Sequence, residues 1–165
     1  MSIKIKVQMT EKAMYHFLLH NYYSKFSGIF GTALGVFVFA LAVLSGVEGN
    51  YSTTVLFGFL TVILLFMEPF SLKSAAKRQI KNSEMFQKPL IYTFSEEGLS
   101  VEQDEEKAMN NWDNFMKIVA TKQIMILYVT RVRAIIIPKE DLKDDYQAVV
   151  EIIKKNVPKK VKVKL

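Results

Sequence analysis

The sequence predicts a membrane α-helical hairpin joined to a small α+β domain, an antiparallel sheet or barrel capped by a C-terminal helix. Three observations carry this. Residues 26–47 and 50–67 contain no Asp, Glu, Lys, Arg or His and are separated only by Glu48 and Gly49; each approaches the roughly 20 residues that a helix needs to cross a hydrocarbon core. After Pro89, short β-rich runs alternate with brief polar turns, the pattern of an antiparallel meander. Finally, Tyr146, Val149, Val150 and Ile153 fall at i, i+3, i+4 and i+7, one apolar stripe for a helix that plugs a sheet.

A chain of 165 residues has room for one such hairpin and one small core. Its organisation reads as an N-terminal strand and juxtamembrane helix over 1–25, the hairpin over 26–67, a basic linker helix over 68–88, the sheet domain over 89–157 and a basic tail over 158–165. The formal net charge is +6, and its placement matters more than its sum. Lys4, Lys6, Lys12 and Lys25 precede the first apolar run, and Lys73, Lys77, Arg78, Lys81 and Lys88 follow the second, whereas the connecting turn carries only Glu48. By the positive-inside rule both termini are cytoplasmic and the turn faces out. A signal peptide would start nearer the N-terminus and have an apolar core of about 7–15 residues, so the first run is read as a retained span. The absence of cysteine excludes disulfides, thiolate metal sites and cysteine nucleophiles.

Ile3, Ile5 and Val7 alternate with Lys4, Lys6 and Gln8, a strand with one buried face whose sheet must lie elsewhere. Thr10 offers a cap to a helix running towards Tyr22, Tyr23 and Lys25, residues suited to the headgroup zone. His16 and His20 share a face of that helix, but no third ligand in the pattern completes a metal site. Within the spans, Ser27, Gly31 and Gly35 recur every four residues, and Thr54, Gly58 and Thr61 form a matching set. In lipid such small residues let backbones approach, either between the two spans or between two copies of the chain. Neither span holds an ionisable residue, which argues against a pore or transport path. Pro69 predicts a kink or restart after Glu68.

From Phe70 the pattern is helical, with Lys73, Lys77 and Lys81 at four-residue spacing and Arg78 beside them. This face either holds the helix against anionic lipid or is a solvated face that fixes topology. In the sheet domain, Leu90 to Phe94 is a strand, Glu96-Glu97-Gly98 a turn with positive φ expected at the glycine, and Asp104 to Glu106 a second turn. The run Ile124 to Val129 is too continuously apolar for a solvated strand, so it lies centrally. Asp141 or Asp144 caps the last helix. The tail Lys159 to Leu165 alternates cations with apolar residues and either touches the membrane or frays.

No nucleophile with a base, phosphate-cradling glycine loop or recognition motif for nucleic acid is present, so neither an enzyme nor a nucleic-acid partner is expected, and no cofactor or metal. The acidic pairs Glu96-Glu97 and Asp104 to Glu106 are most simply solvated turns. Lys117, Lys122, Arg131 and Arg133 form a candidate ligand face for a phosphorylated headgroup or an acidic peptide, or an ordinary charged exterior. Trp112 is a core or barrel-mouth anchor.

Several antiparallel strands followed by one amphipathic helix is the order of a pleckstrin-homology-like barrel. The stretches Pro89 to Leu99, Trp112, Leu127-Tyr128 and Ile136-Ile137-Pro138-Lys139 resemble the pattern of the YcxB-like family of small bacterial membrane proteins. This resemblance covers nearly the whole chain, because members place a two-span hairpin before the C-terminal domain. It implies a bacterial inner-membrane protein with a domain similar to bacterial pleckstrin-homology domains, and it supplies no catalytic residues. A seven-stranded barrel of that kind lacks one strand after Pro89, and residues 3–7 are the candidate to complete it. The functional expectation is a membrane-anchored, non-enzymatic adaptor that engages lipid headgroups or a protein partner. The alternative is an immunity or regulatory protein acting through its hairpin.

Overall fold

Alternation at one end of the chain and β-rich runs at the other meet in a single sheet. The structure, a computed structural model, describes residues 2–165. It divides into two compact units, Met1–Phe17 with Arg78–Leu165, and Leu18–Lys77.

The unit over Leu18–Lys77 holds the apolar helices α2 (Phe26–Val47) and α3 (Tyr51–Asn82). Both are long and apolar enough to cross a membrane, and α2 has the bounds read from the sequence. Gly49 turns the chain between them at φ +77°, where L residues are disfavoured. The Asn50 side chain then accepts the Thr53 N–H at 3.3 Å, an N-cap for α3. The helix does not restart at Pro69: α3 runs as a single helix through it and extends to Asn82. Proline supplies a helical φ and deprives the helix of one internal hydrogen bond; a helix this long retains enough others. The basic segment is therefore the distal part of α3, and a short 3₁₀ turn, Glu84–Phe86, follows it. Gln87 Nε2 donates to the Ile80 carbonyl at 2.9 Å, closing the helix end.

The other unit contains β1 (Ile3–Val7) and the first part of α1 (Glu11–Tyr23), with β2 (Leu90–Phe94), β3 (Gly98–Gln103), β4 (Glu106–Asn111), β5 (Lys117–Ala120), β6 (Ile124–Tyr128), β7 (Ala134–Pro138), α4 (Lys139–Leu142), α5 (Tyr146–Asn156) and β8 (Lys162–Lys164). One sheet has the order β1-β2-β3-β4 and the other β7-β6-β5-β8. No barrel closes. The 3₁₀ turn Trp112–Asn114 separates β4 from β5, which pair with different neighbours.

The register Ile3↔Phe94, Ile5↔Tyr92 and Val7↔Leu90 places apolar partners on one face, where all six are buried. They share a core with Leu99, Trp112, Ile118, Met125, Leu127 and Ile137, and with Val149 and Ile153 of α5. Trp112 is stacked on Phe94 at 6.4 Å and its Nε1 donates to the Ser95 carbonyl at 3.1 Å, a satisfied core indole. Gly98 does not have the positive φ expected of it. It is required instead for close approach, since a Cβ there would collide with the Asn110 carbonyl across the β3–β4 pair.

The second sheet is covered on both faces. Met125 and Leu127 enter the main core, while Ile124 and Ile126 point the other way, because alternate residues of a strand face opposite sides. Val119 and Ile136 lie opposite Ile126 and are buried with it. The helix α1 covers this outer face: Ala13 and Met14 are buried, and the Phe17 ring lies 6.5 Å from that of Tyr128. Thr10 Oγ1 accepts the Ala13 N–H at 3.1 Å, the cap that starts α1. The tail neither frays nor runs free: β8 pairs in parallel with β5, Val163 opposite Ile118. At α5 the cap position is Asp145, without a side-chain cap bond, rather than Asp141 or Asp144.

Because Ile5 is 4 % exposed and its partner Tyr92 lies in a different part of the chain, Ile5→Ala is expected to cost about 2–5 kcal/mol, whereas Lys4→Ala, on the solvent face, costs under about 1 kcal/mol. Denaturant titration of the detergent-solubilised chain, followed by emission of the lone tryptophan, Trp112, measures both.

Candidate functional site

The cations proposed from the sequence occupy the exposed rim of the second sheet and the distal part of α3. Lys117 lies opposite Tyr128 in the β5–β6 ladder, its Nζ 5.6 Å from the centre of the Tyr128 ring, within cation–π range. Ala134 lies on the other side of Tyr128, so the loop from Val129 to Arg133 that joins β6 to β7 emerges beside Lys117. Arg131, Val132 and Arg133 are all exposed on it. Lys162 of β8 lies opposite Lys117. Three of the four proposed cations, Lys117, Arg131 and Arg133, therefore share one end of the sheet.

Lys122 does not join them. It lies in the turn between β5 and β6, at the other end of β6. There Lys12, His16, Lys122, Lys139 and Glu140 line a cleft of about 210 Å³. The Lys139 N–H donates to the Gln123 carbonyl at 2.8 Å, and its ammonium lies 4.3 Å from the Tyr146 ring. Strand order and register decide which charges meet, and no spacing rule in the sequence reveals a register between β5, β6 and β7.

Lys73, Lys77, Arg78 and Lys81 are all exposed along α3. The small residues of the spans fare differently from one another. Gly35 is buried, and a Cβ there would collide with Leu65 of α3, so this is where the two helices close up. Gly46 faces Thr54, 3.6 Å from where its Cβ would be. Ser27 is exposed, Gly31 meets only the Tyr22 hydroxyl at 3.6 Å, and nothing lies within 4 Å of a Cβ at Gly58.

Several carboxylates of the sheet domain are paired with lysines. Glu102 accepts from Lys107 at 2.7 Å and pairs with Lys4 at 3.6 Å; the Lys107 hydrogen bond holds its carboxyl below the ordinary value. Asp104 pairs with Lys88 at 2.5 Å and Asp113 with Lys160 at 3.0 Å. Among the described residues no group of three His, Asp or Glu side chains is placed to hold a metal ion.

Asp141, read from the sequence as a helix cap, serves another purpose. The Gln8 backbone N–H, just beyond β1, donates to its carboxylate, while Oδ2 is buried without a partner. Burial raises the Asp141 pKa, Glu140 adds to the rise, and the Gln8 bond opposes it. Because the folded value is the higher one, the stabilisation is complete below the ordinary 3.8 and is lost as pH rises through the folded value. Asp141→Asn keeps an acceptor for Gln8 and removes the buried charge. It is expected to raise Tm at pH 7 relative to the parent and to lose that advantage near pH 3.5, as differential scanning of both proteins at the two pH values would show.

Residues 94–153 match the family described as YcxB-like protein. No curated protein and no solved structure matches the chain significantly. The matched stretch runs from the last residue of β2 into α5 and includes Trp112, the β6–β7 hairpin and the apolar stripe of α5, so the similarity to the YcxB-like family lies within the sheet domain.

Proposed function

We propose that the chain is a membrane-anchored, non-enzymatic binding module: α2 and α3 cross a bilayer, both termini are cytoplasmic, and a pleckstrin-homology-like domain engages anionic lipid headgroups or a protein partner at the inner face of a bacterial cell membrane. The observation that carries this reading is the surface of the hairpin. Phe26, Phe30, Phe37, Phe39, Phe59 and Phe66 are each more than half exposed along helices that contain no charge before Glu68 on α3, a surface that water disfavours and lipid accepts.

The domain reading draws on its two four-stranded sheets around one core, with α5 packed into it. The parallel strand β8 and the open seam between β4 and β5 are departures from a closed antiparallel barrel. Orientation follows from cations concentrated on both flanks of the hairpin and absent from its turn. The exposed face of Lys73, Lys77, Arg78 and Lys81 then meets the negative inner leaflet, each cation contributing about 1 kcal/mol. A second copy of the chain packing along the small-residue stripe is compatible with this reading.

Alkaline carbonate washing of membranes is expected to leave the chain in the pellet, and its recovery in the supernatant overturns the anchor. In nanodiscs, hydrogen exchange over residues 73–82 is expected to slow when phosphatidylglycerol is added to phosphatidylcholine. Replacing Lys73, Lys77, Arg78 and Lys81 together by alanine abolishes that difference; equal exchange in the two lipids overturns the lipid-facing role of α3.

A further inference from the structure

We propose that the Val129–Arg133 loop is a lipid-inserting tip: Val132 enters the apolar edge of an anionic bilayer while Arg131, Arg133 and Lys117 hold lipid phosphates. The proposal rests on the membrane-anchored reading above and assigns a specific contact to it.

Val132 is 91 % exposed, more than any other large apolar side chain among the described residues, including those of the two spans. An arginine stands on either side of it, and Met116, half exposed, lies at the base of the loop, where its N–H donates to the Tyr128 carbonyl at 2.8 Å. An apolar residue at the apex with guanidinium groups beside it suits the boundary between headgroups and acyl chains, where apolar atoms enter and cations stay with phosphate. Arginine also forms paired hydrogen bonds with phosphate oxygens.

The backbone is prepared for such a place. The Val129 and Thr130 N–H groups donate to the Arg133 carbonyl at 3.0 and 3.1 Å. Thr130 Oγ1 accepts the N–H groups of Val132 at 3.2 Å and Arg133 at 2.9 Å. Four N–H groups of the loop are thus satisfied within it, which lowers the desolvation cost of leaving water and holds the apex in shape. A protein partner would need a patch of roughly 800 Å² on each side, far more than a five-residue projection with one apolar side chain supplies.

The chain has no cysteine, so Val132→Cys accepts a single environment-sensitive fluorophore. The full chain is placed in nanodiscs of phosphatidylcholine alone or with phosphatidylglycerol, with a Met109→Cys label on β4 as the reference. The expected result is a blue-shifted label at 132, quenched by doxyl lipid, in the anionic discs only. Combining it with Arg131→Gln and Arg133→Gln lowers the inserted-to-free ratio on the order of 30-fold at low salt. In a second, unlabelled pair, Val132→Phe slows and Val132→Asp speeds hydrogen exchange of the loop in anionic discs. A water-exposed label in both lipids, an equal response at position 109, or shielding that needs an added protein overturns the tip. If carbonate retention and the α3 response hold in the same preparations, the anchored reading survives that result; if the chain is not retained, it is the anchored reading that fails.

Discussion

The pairing of β1 with β2 is the constraint on which the rest depends. Ile3, Ile5 and Val7 contribute one inward row of the first sheet, and Leu90, Tyr92 and Phe94 contribute the next. Residues 18–77, which hold both apolar spans, leave the sheet unit and return to it between these strands. The apolar hairpin is consequently an insertion within a folded unit rather than a leader in front of one. Non-local pairing of this kind brings its stabilisation only after a long loop has closed, but the entropy of closure grows slowly with loop length, and a stable helical hairpin shortens the effective loop. Tyr92, buried in the centre of this pairing, has its hydroxyl pushed up to about 12 by that burial, a sign of how dry the junction is.

A second consequence is the two-sided burial of β6. With α5 and the first sheet on one face and α1 on the other, β6 has no solvated side, so its residues need not alternate. That is why Ile124 to Leu127 are all buried. The cap at Thr10 starts the helix that covers β6, and its Phe17 ring lies against Tyr128. β8 extends this sheet beyond β5, with Val163 packed against the core and its lysines outward.

Much of this was legible in the chain, and the reasons differ by element. The strict alternation of Ile3 to Val7 named both a strand and its buried face, and the uninterrupted apolar run from Phe26 to Val47 named a helix with its ends. The central place of β6 followed from hydrophobicity alone. What escaped depended on partners distant in sequence. Lys162-Val163-Lys164 alternates as clearly as β1 does, but three residues carry a strand only when a neighbour such as β5 is already in place. Gly98 was visible as special for the wrong reason: a glycine in a turn suggests positive φ, and only the β3–β4 register shows the Asn110 carbonyl against it. At Pro69 the helix on either side overrides a restart, and α3 continues through it. Asp141 looked like a cap because carboxylates before helices usually are; its engagement with Gln8 depends on where β1 ends.

The candidate sites show the same division between composition and geometry. Four-residue spacing on one helix is self-contained, so Lys73, Lys77 and Lys81 fall on one exposed face of α3 as the sequence implies. Spacing across strands is not, and register sends Lys122 to one end of β6 while Lys117 stays with Arg131 and Arg133 at the other. In the hairpin, a small residue every fourth position marks places where a close approach is permitted, but the two helices touch closely at few of them. Gly35 is used because Leu65 fills the space above it; Gly58 keeps its space open. A small-residue stripe thus states where backbones are able to meet, and the bulk of the opposing side chain decides where they do.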